Sequence, residues 1–177
     1  AFSKLVTKTT GDGTVKIGST TEDAGNAGVK VDLTAIEGTT LNLNANYVVS
    51  GNMALDGGNT AETVAVKKGL NVGTLRIQNG TTVEVDGNLV ANTIHMGQGG
   101  TGGNATLGHL VLKDGGSLSV GTFIKCTAQT ANANTFTMNG GILKMTSANN
   151  ITDIATTITG GTLVADTASW GITGATI

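Results

Sequence analysis

The chain contains no proline, a single cysteine and very few aromatic residues. Of its 177 residues, none is proline, one is cysteine (Cys126) and 3% are aromatic. A single cysteine excludes an intramolecular disulfide bond. The absence of proline suits long β ladders, in which every backbone N–H donates a hydrogen bond. The scarcity of aromatic side chains argues against a β-sandwich, whose core usually needs large rings to fill a gap of about 10 Å between two sheets.

Charge is also scarce and nearly balanced. Charged residues make up 12% of the chain, the formal net charge is −2, and the only arginine is Arg76. A nucleic-acid-binding protein needs clustered lysine and arginine to replace the counterions of phosphates, so we expect no nucleic-acid partner. No apolar run approaches the roughly 18 residues that a membrane-spanning helix requires, so we also expect no membrane insertion.

The chain is instead rich in glycine, and its apolar and polar residues alternate with a period of two. The chain has 28 glycines, and segments such as LNLN, LRIQ, TVEV and SLSV alternate strictly. That alternation is typical of half-buried β-strands. The hydrophobic fraction of 38% is regularly spaced and indicates a folded chain. We therefore predict an all-β protein with little or no α-helix.

Turns that contain glycine recur along the chain at a nearly constant interval. The first glycines of these turns lie at positions 38, 57, 80, 115, 140 and 160, in steps of 19, 23, 35, 25 and 20 residues. The longest step contains the glycine-rich segment GQGGTGGNATLG, which we interpret as a loop insert at residues 97–108. Such a period is typical of repeat architectures, in which one unit alone does not bury its apolar side. The sequence thus predicts one all-β domain over residues 1–177, a β-solenoid with coils of about 20–25 residues.

An antiparallel β-sandwich or jelly roll is the alternative fold. Asn-Gly and Asp-Gly between alternating strands are also strong β-hairpin signals. The two folds predict different strand pairings for the segment FTMNGGILKM. In a solenoid Phe136 and Met138 stack in parallel over Leu110 and Leu112, whereas in a hairpin they pair with the ILKM that follows the turn.

The strings MNGGILKM, ITGGTLVAD, LKDGGSLSVG and IQNGTTVEVDGNL resemble the degenerate coils of bacterial autotransporter passenger domains and related surface β-helix proteins. The resemblance covers roughly residues 36–166. It implies a right-handed parallel β-helix that is secreted and displayed at the cell surface.

No local pattern indicates catalysis. Enzymes on β-helices that cleave polysaccharides need clustered carboxylates and aromatic residues that stack on sugars. Here Tyr47, Arg76 and Trp170 stand far apart in the sequence, and no Ser-His-Asp or Cys-His motif is found. We therefore expect that the protein is not an enzyme and has no catalytic residues.

Two weaker signals concern metal ions. Asp12, Glu22 and Asp23 lie in a glycine-rich stretch whose oxygen atoms are suitable calcium ligands, although their spacing is not that of an EF-hand. His95 and His109 flank the insert and would bind a transition metal if the loop brought them together. Apart from the candidate calcium at Asp12, Glu22 and Asp23, we expect no cofactor.

The ends of a solenoid suggest how the protein acts. A short solenoid ends in open strand edges, which are templates for pairing with another chain. The apolar segment at residues 1–10 is a candidate assembly strand. The candidate subunit interface consists of Phe2, Leu5, Val6, Trp170 and Ile177.

Contacts of this kind between unlike ends need not close into a ring and then yield filaments. The sequence therefore predicts an extracellular or cell-surface structural protein that assembles with itself into a filament, sheath or layer. The alternative is an adhesin or phage-fibre segment that binds a host glycan or protein, with the loop at residues 97–108 as a contact.

Overall fold

A computed structural model of the chain describes residues 14–17, 20–23, 26–33, 40–58, 61–97, 107–125, 134–148, 150–151, 154–165 and 171–177. Within these ranges the backbone forms β-strands joined by turns, and it contains no α-helix. The described residues accordingly include no helix that is long and apolar enough to cross a membrane. The prediction of an all-β protein is confirmed.

The strands are numbered in chain order. They are β1 (Thr14–Ile17), β2 (Thr20–Asp23), β3 (Asn26–Asp32), β4 (Thr40–Leu43), β5 (Asn46–Asp56), β6 (Thr63–Val66), β7 (Gly69–Gln78), β8 (Thr81–Val85), β9 (Asn88–Met96), β10 (Gly108–Leu112), β11 (Ser117–Lys125), β12 (Thr135–Met138), β13 (Ile142–Met145), β14 (Asn150–Ile151), β15 (Ala155–Ile158), β16 (Thr162–Ala165) and β17 (Gly171–Ile172).

The strands stack in parallel, one coil above the next. Strands β4, β6, β8, β10, β12 and β15 form one sheet, which we call face 1. Thr40 in the first of these strands is aligned with residues 63, 82, 109, 135 and 155 in the strands that follow. The intervals between these aligned positions are the lengths of successive coils, which are 23, 19, 27, 26 and 20 residues. The structure is therefore the predicted β-solenoid, and the sandwich alternative is wrong.

The second sheet provides the other two faces because its long strands bend. In β5 the register against β7 shifts between Val49 and Asn52, and Gly51 at this bend has a φ of 106°. The first halves of β5, β7, β9 and β11, together with β1, β13 and β16, form face 2. The second halves, together with β3, form face 3, and the short pair β14 and β17 lies beside β11.

The segment FTMNGGILKM is a coil corner. Phe136 is aligned in parallel with Leu110, and Met138 with Leu112. The strand after the turn, β13, stacks on β11 of the preceding coil. The Gly-Gly turn therefore carries the chain from face 1 to face 2 and does not form a hairpin.

The glycine turns that recur along the chain lie at two different corners of the solenoid. Gly57 and Gly80 lie between face 3 and face 1, whereas Gly115, Gly140 and Gly160 lie between face 1 and face 2. The step of 35 residues thus reflects a change of corner as well as the insert. The coil that contains the insert spans only 27 residues, from Thr82 to His109.

The interior is one continuous column of apolar side chains that runs from Val31 to Ile154. Strands such as β8, β10 and β12 contribute alternate residues to it. Most of these side chains are Val, Leu, Ile, Ala or Met. The rings of Phe123 and Phe136 also lie in the column, with centroids 5.5 Å apart and planes inclined by 39°.

Candidate functional site

The described C-terminal residues cover the last coil on face 1 only. Next to face 3 the last described strand is β17, which pairs in parallel with β14 on one edge and with no described strand on the other. On face 1, the N–H of Ile158 donates to the carbonyl of Thr176 at 2.9 Å, and the N–H of Thr176 donates to the carbonyl of Thr156 at 3.0 Å. Thr176 thus extends face 1 by a single bridge beyond its last strand.

On face 2 the last strand is β16, and one of its edges has no partner in the part of the chain that the structure describes. The other edge of β16 pairs with β13. Leu163 continues the interior row of Leu143, but it is 44% exposed whereas Leu143 is fully buried. The reason is that Leu163 is the last residue in its row. This combination of unpaired backbone groups and a partly exposed apolar side chain is a template for another strand.

The first coil presents a matching strand on the same face. Strand β1 pairs in parallel with the first half of β5, from Thr14 opposite Asn46 to Ile17 opposite Val49. Its other edge has no partner among the described strands. On face 3 the first coil ends differently, because β2 runs antiparallel to β3. On face 1 it ends in β4.

Only one of the five predicted interface residues can be located. Ile177 is 97% exposed and follows Thr176, which pairs with the last strand of face 1. Phe2, Leu5, Val6 and Trp170, and the candidate assembly strand at residues 1–10, lie outside the described residues. Sequence reasoning missed Leu163. The sequence does contain a signal that could have identified Leu163. The segment TLVA follows Gly160 and Gly161, and it is the last of the strands that come after a Gly-Gly turn.

The candidate calcium site is only partly described. Glu22 and Asp23 lie on β2, where the structure describes the backbone and not the side chains, and Asp12 lies outside the described residues. Elsewhere in the described ranges, no group of three or more His, Cys, Asp and Glu side chains is arranged to hold a metal ion. Calcium binding by these three residues therefore stays a prediction.

The two histidines lie on different faces of the solenoid. His95 is on the face 3 half of β9 beside Arg76, and His109 is on face 1, where its Nδ1 lies 2.8 Å from Oγ1 of Thr135. Burial lowers the pKa of both imidazoles, and the charge of Arg76 lowers that of His95 further. Both shifts favour the neutral imidazole, and no third ligand of a metal site accompanies the two rings in the described residues.

The insert begins and ends at hydrogen bonds to the coil beneath it. The N–H of Gly97 donates to the carbonyl of Ile77 at 2.7 Å, and the N–H of Gly80 donates to the carbonyl of Leu107 at 2.8 Å. Gly108, predicted as the last residue of the insert, is already the first residue of β10. Residues 98–106 lie outside the described residues.

A buried carboxylate holds the corner between face 3 and face 1. Oδ1 of Asp56 accepts hydrogen bonds from the N–H of Gly58 at 3.0 Å and from Nδ2 of Asn79 at 2.6 Å. Its Oδ2 accepts one from Nε2 of Gln78 at 3.3 Å. Hydrogen bonds of this kind offset the cost of burying the charge. Because N–H donors surround both oxygens, the cluster joins neighbouring coils and is not arranged as a cation site.

A shallow depression of about 180 Å³ opens on the outside of face 2 above Gly69. Asn46 and Asn88 occupy the same register row in the coils on either side. A Cβ atom added to Gly69 would lie 2.5 Å from Oδ1 of Asn46, so the missing side chain creates the depression. Its sides are completed by Val48, Asn71 and Val90.

Comparison of the chain with protein-family models, with curated proteins and with solved structures finds no match.

Proposed function

We propose that this protein is an extracellular structural protein that assembles with itself end to end into a filament, sheath or layer. The observation that carries the proposal is the edge of β16 that has no partner among the described strands, where Leu163 is 44% exposed. The resemblance of the coils to surface β-helix proteins supports the extracellular location.

Strand addition at this edge would gain two kinds of interaction. The free N–H and C=O groups of β16 would pair with those of the incoming strand, as they do in every coil below. The exposed part of Leu163 would be removed from water, as Leu143 already is. Because the two ends of a solenoid differ, the contact is heterologous, and when successive copies are displaced along the axis it propagates into a filament.

Replacing Leu163 with lysine is expected to weaken assembly strongly. The lysine stays solvated in the free chain, but the contact would bury its charge beside an apolar row. We expect the critical concentration to rise about tenfold or more, which corresponds to at least about 1.4 kcal/mol. Sedimentation of assembled material over a concentration series, checked by negative-stain microscopy, measures the effect.

Asn92→Lys is the matched control for this experiment. Asn92 is exposed in β9, in the middle of the sheet, so this variant adds the same charge away from both ends. It should assemble like the parent. A parent chain that stays monomeric at all concentrations, or a Leu163→Lys variant that assembles normally, would contradict the proposal.

The depression above Gly69 favours one second candidate, an adhesin that binds a host glycan. Its apolar side, formed by Val48 and Val90, suits the C–H face of a sugar ring, and the amides of Asn46, Asn71 and Asn88 suit its hydroxyl groups.

Filling this depression tests the second candidate. We expect Gly69→Ala to abolish any binding on a glycan array and to change the melting temperature little, because its Cβ meets only the end of the flexible Asn46 side chain. Thr93→Ala, on face 3, is the control and should bind like the parent. Glycan binding that survives Gly69→Ala would exclude this depression as the binding site.

A further inference from the structure

We infer that β16 of one copy accepts β1 of a second copy as the next parallel strand of face 2. The inferred register places Thr14 on Thr162, Val15 on Leu163, Lys16 on Val164 and Ile17 on Ala165. This inference rests on the proposed self-assembly and specifies its contact.

The two edges of face 2 without described partners, those of β1 and β16, belong to strands that point the same way. Strands β1, β5, β7, β9, β11, β13 and β16 are joined by parallel pairings only. A second copy displaced along the solenoid axis without inversion therefore brings its β1 above β16 in the correct direction. Both strands have four residues, so their edges match in length.

The interior rows of face 2 would continue across the inferred contact. Leu163 ends an interior row that includes Leu118 and Leu143, and position 15 begins the row that continues to the buried Tyr47. Position 17 likewise begins the row of the buried Val49. The contact would thus join one apolar column to the next, as neighbouring coils do within the chain.

The other two faces do not offer a matching pair of edges among the described strands. On face 1 the last coil is covered by a single bridge at Thr176, whereas the first coil presents the four residues of β4. Next to face 3 the last strand is the two-residue β17, whereas the first coil ends in β2, which runs antiparallel to its neighbour. Face 2 alone has parallel strands of equal length at both described ends.

Charge does not oppose the inferred register. The outward row of face 2 ends with Lys144 and Val164, and Lys16 would follow. Val164 then separates the two lysines by two strand spacings, about 9.6 Å, which is close to the screening length of about 8 Å at physiological ionic strength. No like charges are placed in adjacent strands.

Paired cysteines test the register directly. In parallel strands aligned Cα atoms lie about 4.8 Å apart, which is within the range that a disulfide spans. We expect a chain carrying both Lys16→Cys and Val164→Cys to form a ladder of disulfide-linked multimers under mild oxidation. The yield should exceed that of either single variant about tenfold or more, because aligned cysteines react at a high effective concentration. The parent, with Cys126 alone, sets the background.

The controls separate failure of the register from failure of assembly. Val164→Cys combined with Thr40→Cys, which lies on face 1, should cross-link no more than the single variants. If filaments form, and this control pair cross-links while the pair at positions 16 and 164 does not, the inferred register is wrong and the proposal of assembly stands. Dimers of Val164→Cys alone would indicate a head-to-head contact and overturn the inference. A chain that never assembles would overturn both proposals.

Discussion

Replacing Gly141 with alanine is expected to destabilise the protein by about 2–5 kcal/mol. Gly141 has a φ of 74°, in the left-handed region, which costs about 1–2 kcal/mol for a residue with a Cβ atom. Its Cβ would also collide with the carbonyl oxygens of Gly116 and Lys113 in the coil below. Overpacking against such rigid atoms costs about 1–3 kcal/mol more.

Two neighbouring glycines separate these two contributions. Gly115 has a φ of 80°, but a Cβ atom added there would meet nothing within 4 Å, so Gly115→Ala should cost only about 1–2 kcal/mol for its backbone. Gly116 does not have a positive φ, but its Cβ would collide with the carbonyl oxygen of Val85, so Gly116→Ala isolates the steric cost. Urea denaturation of the three variants gives the comparison. Equal losses for Gly115→Ala and Gly141→Ala would show that close stacking of the corners contributes nothing.

Replacing Phe136 with alanine is expected to cost about 3–5 kcal/mol, the range for removing a fully buried phenylalanine. Phe136 is completely buried, lies between Leu110 and Thr156 in its register row, and packs against Phe123. Since a whole domain is commonly stable by only about 5–15 kcal/mol, this loss is a large fraction of the total. The cavity lies between stacked coils, so we expect the coils after β11 to become sensitive to proteolysis first.

Thr137→Ala is the matched control for Phe136→Ala. Thr137 is the next residue of β12, and its side chain points outward from face 1. Its replacement should change the free energy of unfolding by no more than about 0.5 kcal/mol. If the two variants had similar urea midpoints, Phe136 would not occupy the interior of the coil.

Much of the fold could be predicted because its signals are local. The alternation in TFTM and SLSV placed Phe136, Met138, Leu118 and Val120 in the interior, and the structure buries all four. The length of the coils followed from the recurrence of glycine turns. The corner to which each turn belongs could not be predicted, because Asn79-Gly80 and Asn139-Gly140 look alike in sequence and lie at different corners.

The candidate site was less predictable than the fold. An open solenoid end was predicted from the sequence, but the sequence did not indicate that β16 provides an edge without a described partner. The two-residue strand β17 and the single bridge at Thr176 carry no periodic signal, since they are too short for alternation to be recognised.

By itself the sequence determined an all-β solenoid, the approximate size of its coils and the residues that face its interior. These properties follow from side-chain alternation and turn chemistry, which neighbouring residues specify. Only the tertiary structure decided which faces of the end coils are covered and which edge is free. The physical reason is that strand edges pair through backbone N–H and C=O groups, which nearly every residue carries, so the sequence does not mark the edge that lacks a partner.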